Sequence, residues 1–239
     1  MKVILSILFW IVAAVTTLLL FLVSSGVLLV SFPFDRKRKL VHAQGFWWAD
    51  TIIGFNPFWS LSVEGAEHID PKKTYVVVAN HQSFADILML YKTRMQFKWV
   101  AKESLFKIPV FGWCMSLVNH IKLARGQHGS IRGVYRQAAS WLKKGVSVFF
   151  FPEGTRSATG EMNDFKNGAF KLAIKEKKPI LPIYIKGGAN VLPKGSWIFN
   201  TRAFCKLTIL PAINTQDLSP KDFASLRDKT YATLTEAAQ

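Results

Sequence analysis

Residues 80–86 read Asn-His-Gln-Ser-Phe-Ala-Asp and set a histidine and an aspartate five positions apart. Within one regular helix that separation is a rotation of about 140°, so the two side chains would point away from each other. With His81 in a turn and Asp86 in the first turns of a following helix, they can meet. A carboxylate on one ring nitrogen fixes the imidazole tautomer and leaves the other nitrogen to take a proton. A turn histidine followed by an aspartate favoured by a helix N-terminus has the same spacing, and on spacing alone both readings stand. Ser83 beside the pair admits a serine nucleophile, but the chain has no Gly-x-Ser-x-Gly elbow.

Two further groups of residues suit anions. Residues 151–157 read Phe-Pro-Glu-Gly-Thr-Arg-Ser. Gly154 permits close backbone approach, Thr155 and Ser157 offer hydroxyls, and Arg156 can hold a phosphate through paired hydrogen bonds. A tight turn with one exposed arginine is the plain alternative. Lys102, at the head of residues 102–112, and Arg125, at the end of residues 121–125, fall at the ends of apolar runs. Strand ends are where ligands sit on α/β sheets, although charge runs are more often a solvated face. The chain has no P-loop, no Gly-x-Gly-x-x-Gly and no His-Glu-x-x-His. None of its five histidines (His42, His68, His81, His120, His128) is spaced for a metal site, and its two cysteines form no Cys-x-x-Cys pair.

The elements that must position these groups are legible as short apolar runs alternating with helical stretches. Residues 75–80, 146–151, 180–185 and 205–210 predict buried strands, and residues 97–101 and 121–124 predict weaker ones. Continuous apolar strands separated by helices imply a mostly parallel sheet covered on both faces. Residues 130–144 predict a helix with Ile131, Val134, Tyr135, Ala138, Trp141 and Leu142 on one face, basic residues in its last turn and Gly145 just past its end. Further helices are expected over 167–176 and from Pro220 to about Thr235.

Ahead of this domain, residues 3–34 form a run of 32 positions without a charged side chain. About 20 apolar residues suffice to cross a bilayer, and a secretory signal has an apolar core of only about 7–15. Ser24, Ser25 and Gly26 offer a place to divide the run into a span and a shorter interfacial piece. The basic cluster Arg36, Lys37, Arg38 and Lys39 then places the rest of the chain on the cytoplasmic side of the cell membrane. Residues 40–59 carry tryptophans and phenylalanines among few charges and suit an interfacial helix and connector. The expected division is thus a hydrophobic membrane anchor over 1–34, a basic and aromatic interfacial segment over 35–60, and a catalytic domain over 61–239. The net charge of +16 is uneven: residues 91–145 hold eleven Lys and Arg against the single acid Glu103. Such a field attracts phosphate esters, coenzymes, acidic proteins, nucleic acid or anionic lipid.

Taken in order, these blocks resemble the glycerophospholipid acyltransferase family, in particular its 1-acylglycerol-3-phosphate acyltransferase branch. His81 and Asp86 match the family's His-x₄-Asp element, and residues 151–157 match its Phe-Pro-Glu-Gly-Thr-Arg-Ser block. Residues 102–112 and 180–185 resemble its second and fourth blocks. The resemblance spans roughly residues 60–215. It implies that His81, oriented by Asp86, acts as general base on an acceptor hydroxyl that attacks an acyl thioester directly. Arg156 would bind the acceptor phosphate with Lys102 and Arg125, Glu153, Gly154 and Thr155 would shape that pocket, and Pro182 would lie near the acyl donor. No metal or prosthetic group is implied; the co-substrate is acyl-CoA or acyl carrier protein. The partners implied are a lysophospholipid phosphate, the thioester and the bilayer. One departure from the family is Ala124, where an aspartate often precedes the arginine matching Arg125. Rival acceptors are glycerol-3-phosphate, a lyso-ornithine lipid and other lysophospholipids. A different class is a membrane-tethered protein that binds anionic lipid and has no need of a base. No nucleic-acid recognition module is present.

Overall fold

The computed structural model describes residues 2–124 and 128–239. The chain opens on α1 (Lys2–Ser31) and α2 (Lys39–Gly54) and continues through β1 (Trp59–Glu64), β2 (Val76–Ala79), α3 (Ala85–Leu90), β3 (Phe97–Lys102), α4 (Phe111–Leu117) and β4 (Ile121–Leu123). It then forms α5 (His128–Lys143), β5 (Ser147–Phe150), α6 (Gly168–Lys175), β6 (Ile180–Lys186), α7 (Gly188–Val191), β7 (Ala203–Ile209) and α8 (Phe223–Glu236). The strands make one sheet in the order β1-β7-β6-β2-β5-β3-β4. β6, β2, β5, β3 and β4 run parallel to one another, β7 runs antiparallel to β6, and β1 follows β7.

All four residues of β2 are buried. The alternating pleat sends Val77 and Ala79 into one core with Phe97, Trp99 and Phe149, against α1 to α4. Val76 and Val78 enter the other core, against α5, α6 and α8. This two-sided cover is why the strand reads as an unbroken apolar run. α5 ends as its composition predicts. Gly145 takes φ +76°, its N–H donates to the Leu142 carbonyl (3.1 Å), and the next N–H donates to the Trp141 carbonyl (3.0 Å), the paired closure of a Schellman cap.

Three expectations change. First, α1 is one continuous helix through Ser24, Ser25 and Gly26. The Ser25 hydroxyl donates back to the Phe21 carbonyl at 2.7 Å, so it leaves no polar group unpaired, and a helical glycine costs only about 1 kcal/mol. Second, the last residue of the 40–59 helix and connector already belongs to the sheet. α2 stops at Gly54 and Trp59 already begins β1. In that edge strand Trp59, Leu61 and Val63 are half-buried while Ser60, Ser62 and Glu64 are exposed, an alternation that the apolar-run reading passed over. On α2, Trp48 and Ile52 are buried against the domain, and the Trp48 indole donates to Thr17 Oγ1 at 3.1 Å. Third, the basic field is not all surface. Lys98 is fully buried on β3, where its ammonium donates to the carbonyls of Lys37 (3.0 Å) and Val118 (2.6 Å). Burial pushes its pKa down to about 7, against the pull of nearby Asp35.

Candidate active site

The pairing of β2 with β5 brings the two main motifs together. Val78 lies opposite Phe150, so three residues past the pair, His81 faces Glu153 across the C-terminal edge of the sheet. The His81 N–H donates to Glu153 Oε1 at 2.6 Å, and the Ser157 N–H donates to the His81 carbonyl at 2.8 Å. These bonds join the loops after the two strands. The His81 ring stacks on Phe151 with centroids 3.8 Å apart and an interplanar angle of 12°.

Asp86 stands in the first turn of α3 and is fully buried. Its Oδ2 accepts from His81 Nδ1 at 2.8 Å and from the N–H groups of Gln82 (2.7 Å) and Ser83 (2.8 Å). With Nδ1 occupied, Nε2 is the His81 nitrogen that serves the cavity, which His81 lines. Room for Asp86 comes from Gly188: a Cβ there would stand 2.0 Å from Asp86 Oδ1. Ser83 is no nucleophile, because its hydroxyl is buried and donates to the Leu192 carbonyl at 2.7 Å.

The cavity has a volume of about 630 Å³. Lys102, Thr155, Arg156 and Lys166 line it together with His81, as does the backbone around Gly154. The Arg156 guanidinium lies over the Phe84 ring, 5.1 Å from its centroid. Gly154 has φ +71°, and a Cβ there would meet Lys166 Nζ at 2.9 Å. Its walls also include Trp99, Leu105, Phe111, Met115 and the buried His42. Burial and the charge of Lys98 push the His42 pKa down to about 3, so that wall carries no charge at neutral pH. The arrangement is a base on a pinned imidazole, a cationic rim for a phosphate or another anion, and a deep apolar space behind them.

Not every expected residue lines this space. Glu153 points away from the cavity, into the loop. Its Oε2 accepts from the Asn163 N–H (2.9 Å) and amide (2.7 Å), and burial raises its pKa against the pull of these bonds. It acts as a strut between the β2 and β5 loops. Pro182 lies inside β6, opposite Val78, and lines neither this cavity nor a second one beside it. Its even-numbered neighbours Ile180 and Tyr184 belong to the core on the α5 side, away from α3. Arg125 lies outside the described residues. The sequence reading missed Lys166, Phe84 and Gly188. The glycine pair at 187 and 188 after β6 was the only signal available for the last.

Comparison with known proteins places the chain in a family. The family model described as Acyltransferase matches residues 60–186. The chain is 40% identical over 165 residues to the chloroplastic 1-acyl-sn-glycerol-3-phosphate acyltransferase BAT2 of Brassica napus, covering 68% of this chain and 47% of that one. It is 29% identical over 209 residues to the 1-acyl-sn-glycerol-3-phosphate acyltransferase of Pseudomonas aeruginosa, covering 85% and 79%. The crystal structure of the 1-acyl-sn-glycerophosphate acyltransferase PlsC from Thermotoga maritima matches with a TM-score of 0.79 at 28% identity, over 98% of each chain. The chain spans about half the length of the plant and algal relatives it matches. The match covers more than half of this chain and holds both the histidine–aspartate pair and the Phe-Pro-Glu-Gly-Thr-Arg-Ser loop, and the chain belongs to the acyltransferase family.

Proposed function

We propose that this protein transfers a fatty acyl chain from a thioester donor, acyl-CoA or acyl carrier protein, to the free hydroxyl of 1-acylglycerol-3-phosphate, giving phosphatidic acid. The observation that carries the reading is the His81 Nδ1–Asp86 Oδ2 contact of 2.8 Å in a cavity whose wall joins a cationic rim to an apolar interior. His81 Nε2 takes the proton of the acceptor hydroxyl, its oxygen attacks the thioester carbonyl, and the thiolate leaves. Arg156 and Lys102 hold the acceptor phosphate, Thr155 offers a hydroxyl beside it, and Lys166 adds to the rim. The reaction so written needs no metal or prosthetic group. Relatives whose printed names give the same reaction support it.

The test is a comparison of initial rates on 1-acylglycerol-3-phosphate, glycerol-3-phosphate, a lyso-ornithine lipid and a neutral lysolipid. A faster rate on any acceptor other than the first would overturn the substrate assignment. On 1-acylglycerol-3-phosphate, Arg156→Ala should raise KM roughly 10- to 150-fold, the loss of a hydrogen-bonded charge worth about 1.5–3 kcal/mol. An unchanged KM would remove Arg156 from phosphate binding.

The membrane reading is part of the same proposal. α1 is 30 residues long, about 45 Å at 1.5 Å per residue. Leu8, Leu18, Leu19 and Leu22 are exposed, whereas Ser6, Phe9, Thr17, Leu20 and Ser24 are buried against the domain. The helix touches the domain along its length: Trp10 donates to the Trp197 carbonyl (2.8 Å) and Phe21 packs on Trp113 (5.4 Å). A helix docked in this way presents its apolar face to one leaflet, and the basic cluster at residues 36–39 favours the anionic cytoplasmic leaflet. Replacing Leu18 and Leu22 together by lysine should lower the fraction that floats with liposomes at least tenfold, the equivalent of two leucines withdrawn from hydrocarbon. Undiminished flotation would reject the docked-helix anchor.

A further inference from the structure

Beside the first cavity lies a second, of about 550 Å³, bounded by α1, α2, α3 and β1. The two share a partition made of Trp48, Phe84, Ile87 and Phe111. Phe84 stands three residues beyond His81 and holds the Arg156 guanidinium over its ring. Arg156 and both cavities therefore meet at one aromatic side chain.

The two walls differ in chemistry. The first cavity carries Lys102, Arg156 and Lys166 beside His81. Among the described residues, the second is lined by no Asp, Glu, Lys, Arg or His. Its Thr17 hydroxyl is already spent, donating to the Ala13 carbonyl at 2.6 Å and accepting from the Trp48 indole at 3.1 Å. With Ser60 on the exposed face of β1 as its one other hydroxyl, such a wall offers no charge to a headgroup and suits hydrocarbon. Its outer side is α1, where Ala13 and Ala14 stand among larger apolar residues and leave the space open.

We propose that the second cavity holds the acyl chain of the acceptor lipid, while the first holds the chain of the thioester donor. The inference rests on the acyl-transfer reading above. Transfer to a lysolipid brings two hydrocarbon chains to one hydroxyl, and one slot cannot hold both. The donor arrives through water on a carrier bearing phosphates or acidic groups, and on the first cavity Lys166, beside the Arg156 and Lys102 that hold the acceptor phosphate, is placed to meet such a carrier. The acceptor chain is already in the bilayer, and although α1 borders the first cavity at Leu20 and Ser24, it forms a longer, apolar border of the second from Phe9 to Thr17. A chain entering between α1 and α3 crosses no water. Its headgroup then emerges at Phe84, below Arg156 and beside His81.

The experiment uses the full chain in detergent, with 1-palmitoyl- and 1-butanoylglycerol-3-phosphate as acceptors and a series of acyl-CoA chain lengths as donors. Ala13→Phe fills the second cavity from α1, and Leu88→Phe repeats the test from α3. Each should lower the ratio of kcat/KM for the palmitoyl over the butanoyl acceptor at least about tenfold, the loss expected when two or more methylenes are denied burial. The order of preference among donors should stay that of the wild type. Ala101→Leu, on the wall of the first cavity, should do the reverse, shifting donor preference and sparing the acceptor ratio. If Ala13→Phe and Leu88→Phe shift donor preference instead, the slots are assigned the wrong way round. If both variants fold with wild-type melting curves and move neither ratio, the second cavity is not a chain slot. Wild-type protein inactive on both acceptors with every donor would instead overturn the reaction assignment itself.

Discussion

Replacing His81 by alanine is expected to lower kcat for acyl transfer at least 100-fold, since general-base catalysis contributes about 10²–10⁴-fold. The substitution isolates the ring. The structural bonds at position 81, from its N–H to Glu153 and to its carbonyl from Ser157, belong to the main chain and survive in alanine. What is lost is the imidazole stacked on Phe151 and its contact with Asp86. KM for the acceptor should change little, because Arg156 and Lys102 remain. The measurement is acyl transfer to 1-acylglycerol-3-phosphate, with acceptor binding followed separately. Turnover within tenfold of wild type would remove His81 as the base.

Asp86→Asn should lower kcat by a comparable factor while preserving the shape of the site. Where a carboxylate orients a catalytic imidazole, its conversion to the amide costs about 10⁴ in kcat, because the tautomer is no longer enforced and the imidazolium loses its counter-charge. Here the carboxylate also receives the Gln82 and Ser83 N–H groups, and the space around Oδ1 is closed by Gly188. If the amide nitrogen faces that closed space, it is left without an acceptor, which costs about 1–3 kcal/mol of stability. The expected result is therefore a small fall in Tm with a large fall in kcat. A variant that loses stability but retains turnover within tenfold would make Asp86 a loop-holding residue and no more.

The two effects share one geometric origin. His81 and Asp86 are brought together by the turn between β2 and α3, and that turn is held from outside by Glu153 on the neighbouring loop. Glu153 thus reaches the chemistry through His81's backbone without touching the cavity. Neutral Glu153 would keep the acceptor oxygens but lose charge-assisted strength, and burial already raises its pKa.

Much of this protein is written in its sequence. The strand residues 76–79, 148–150 and 180–185 are unbroken apolar runs because helices cover both faces. The end of α5 follows from a glycine placed one step past a basic last turn. The chemistry, a histidine and an aspartate with an arginine-bearing loop, was legible as residue types in a specific order. Local composition determines these features, so local reading recovers them. Direction and contact belong to the tertiary structure. Glu153 and Arg156 sit in one short loop, yet one faces inward to His81 and the other lines the cavity, because the loop is closed on the β2 side by hydrogen bonds from residues 81 and 163. Pro182 lies on the far face because the pleat alternates and β2 fixes its register. Lys98, one charge among many in a basic stretch, is drawn inside by two carbonyls from distant turns. The reversed pair β1 and β7 joins Trp59 to Ala203, and the second cavity is lined from α1, α2, α3 and β1. Neither has a signature in any window of sequence, because each exists only where segments far apart in the chain are packed side by side.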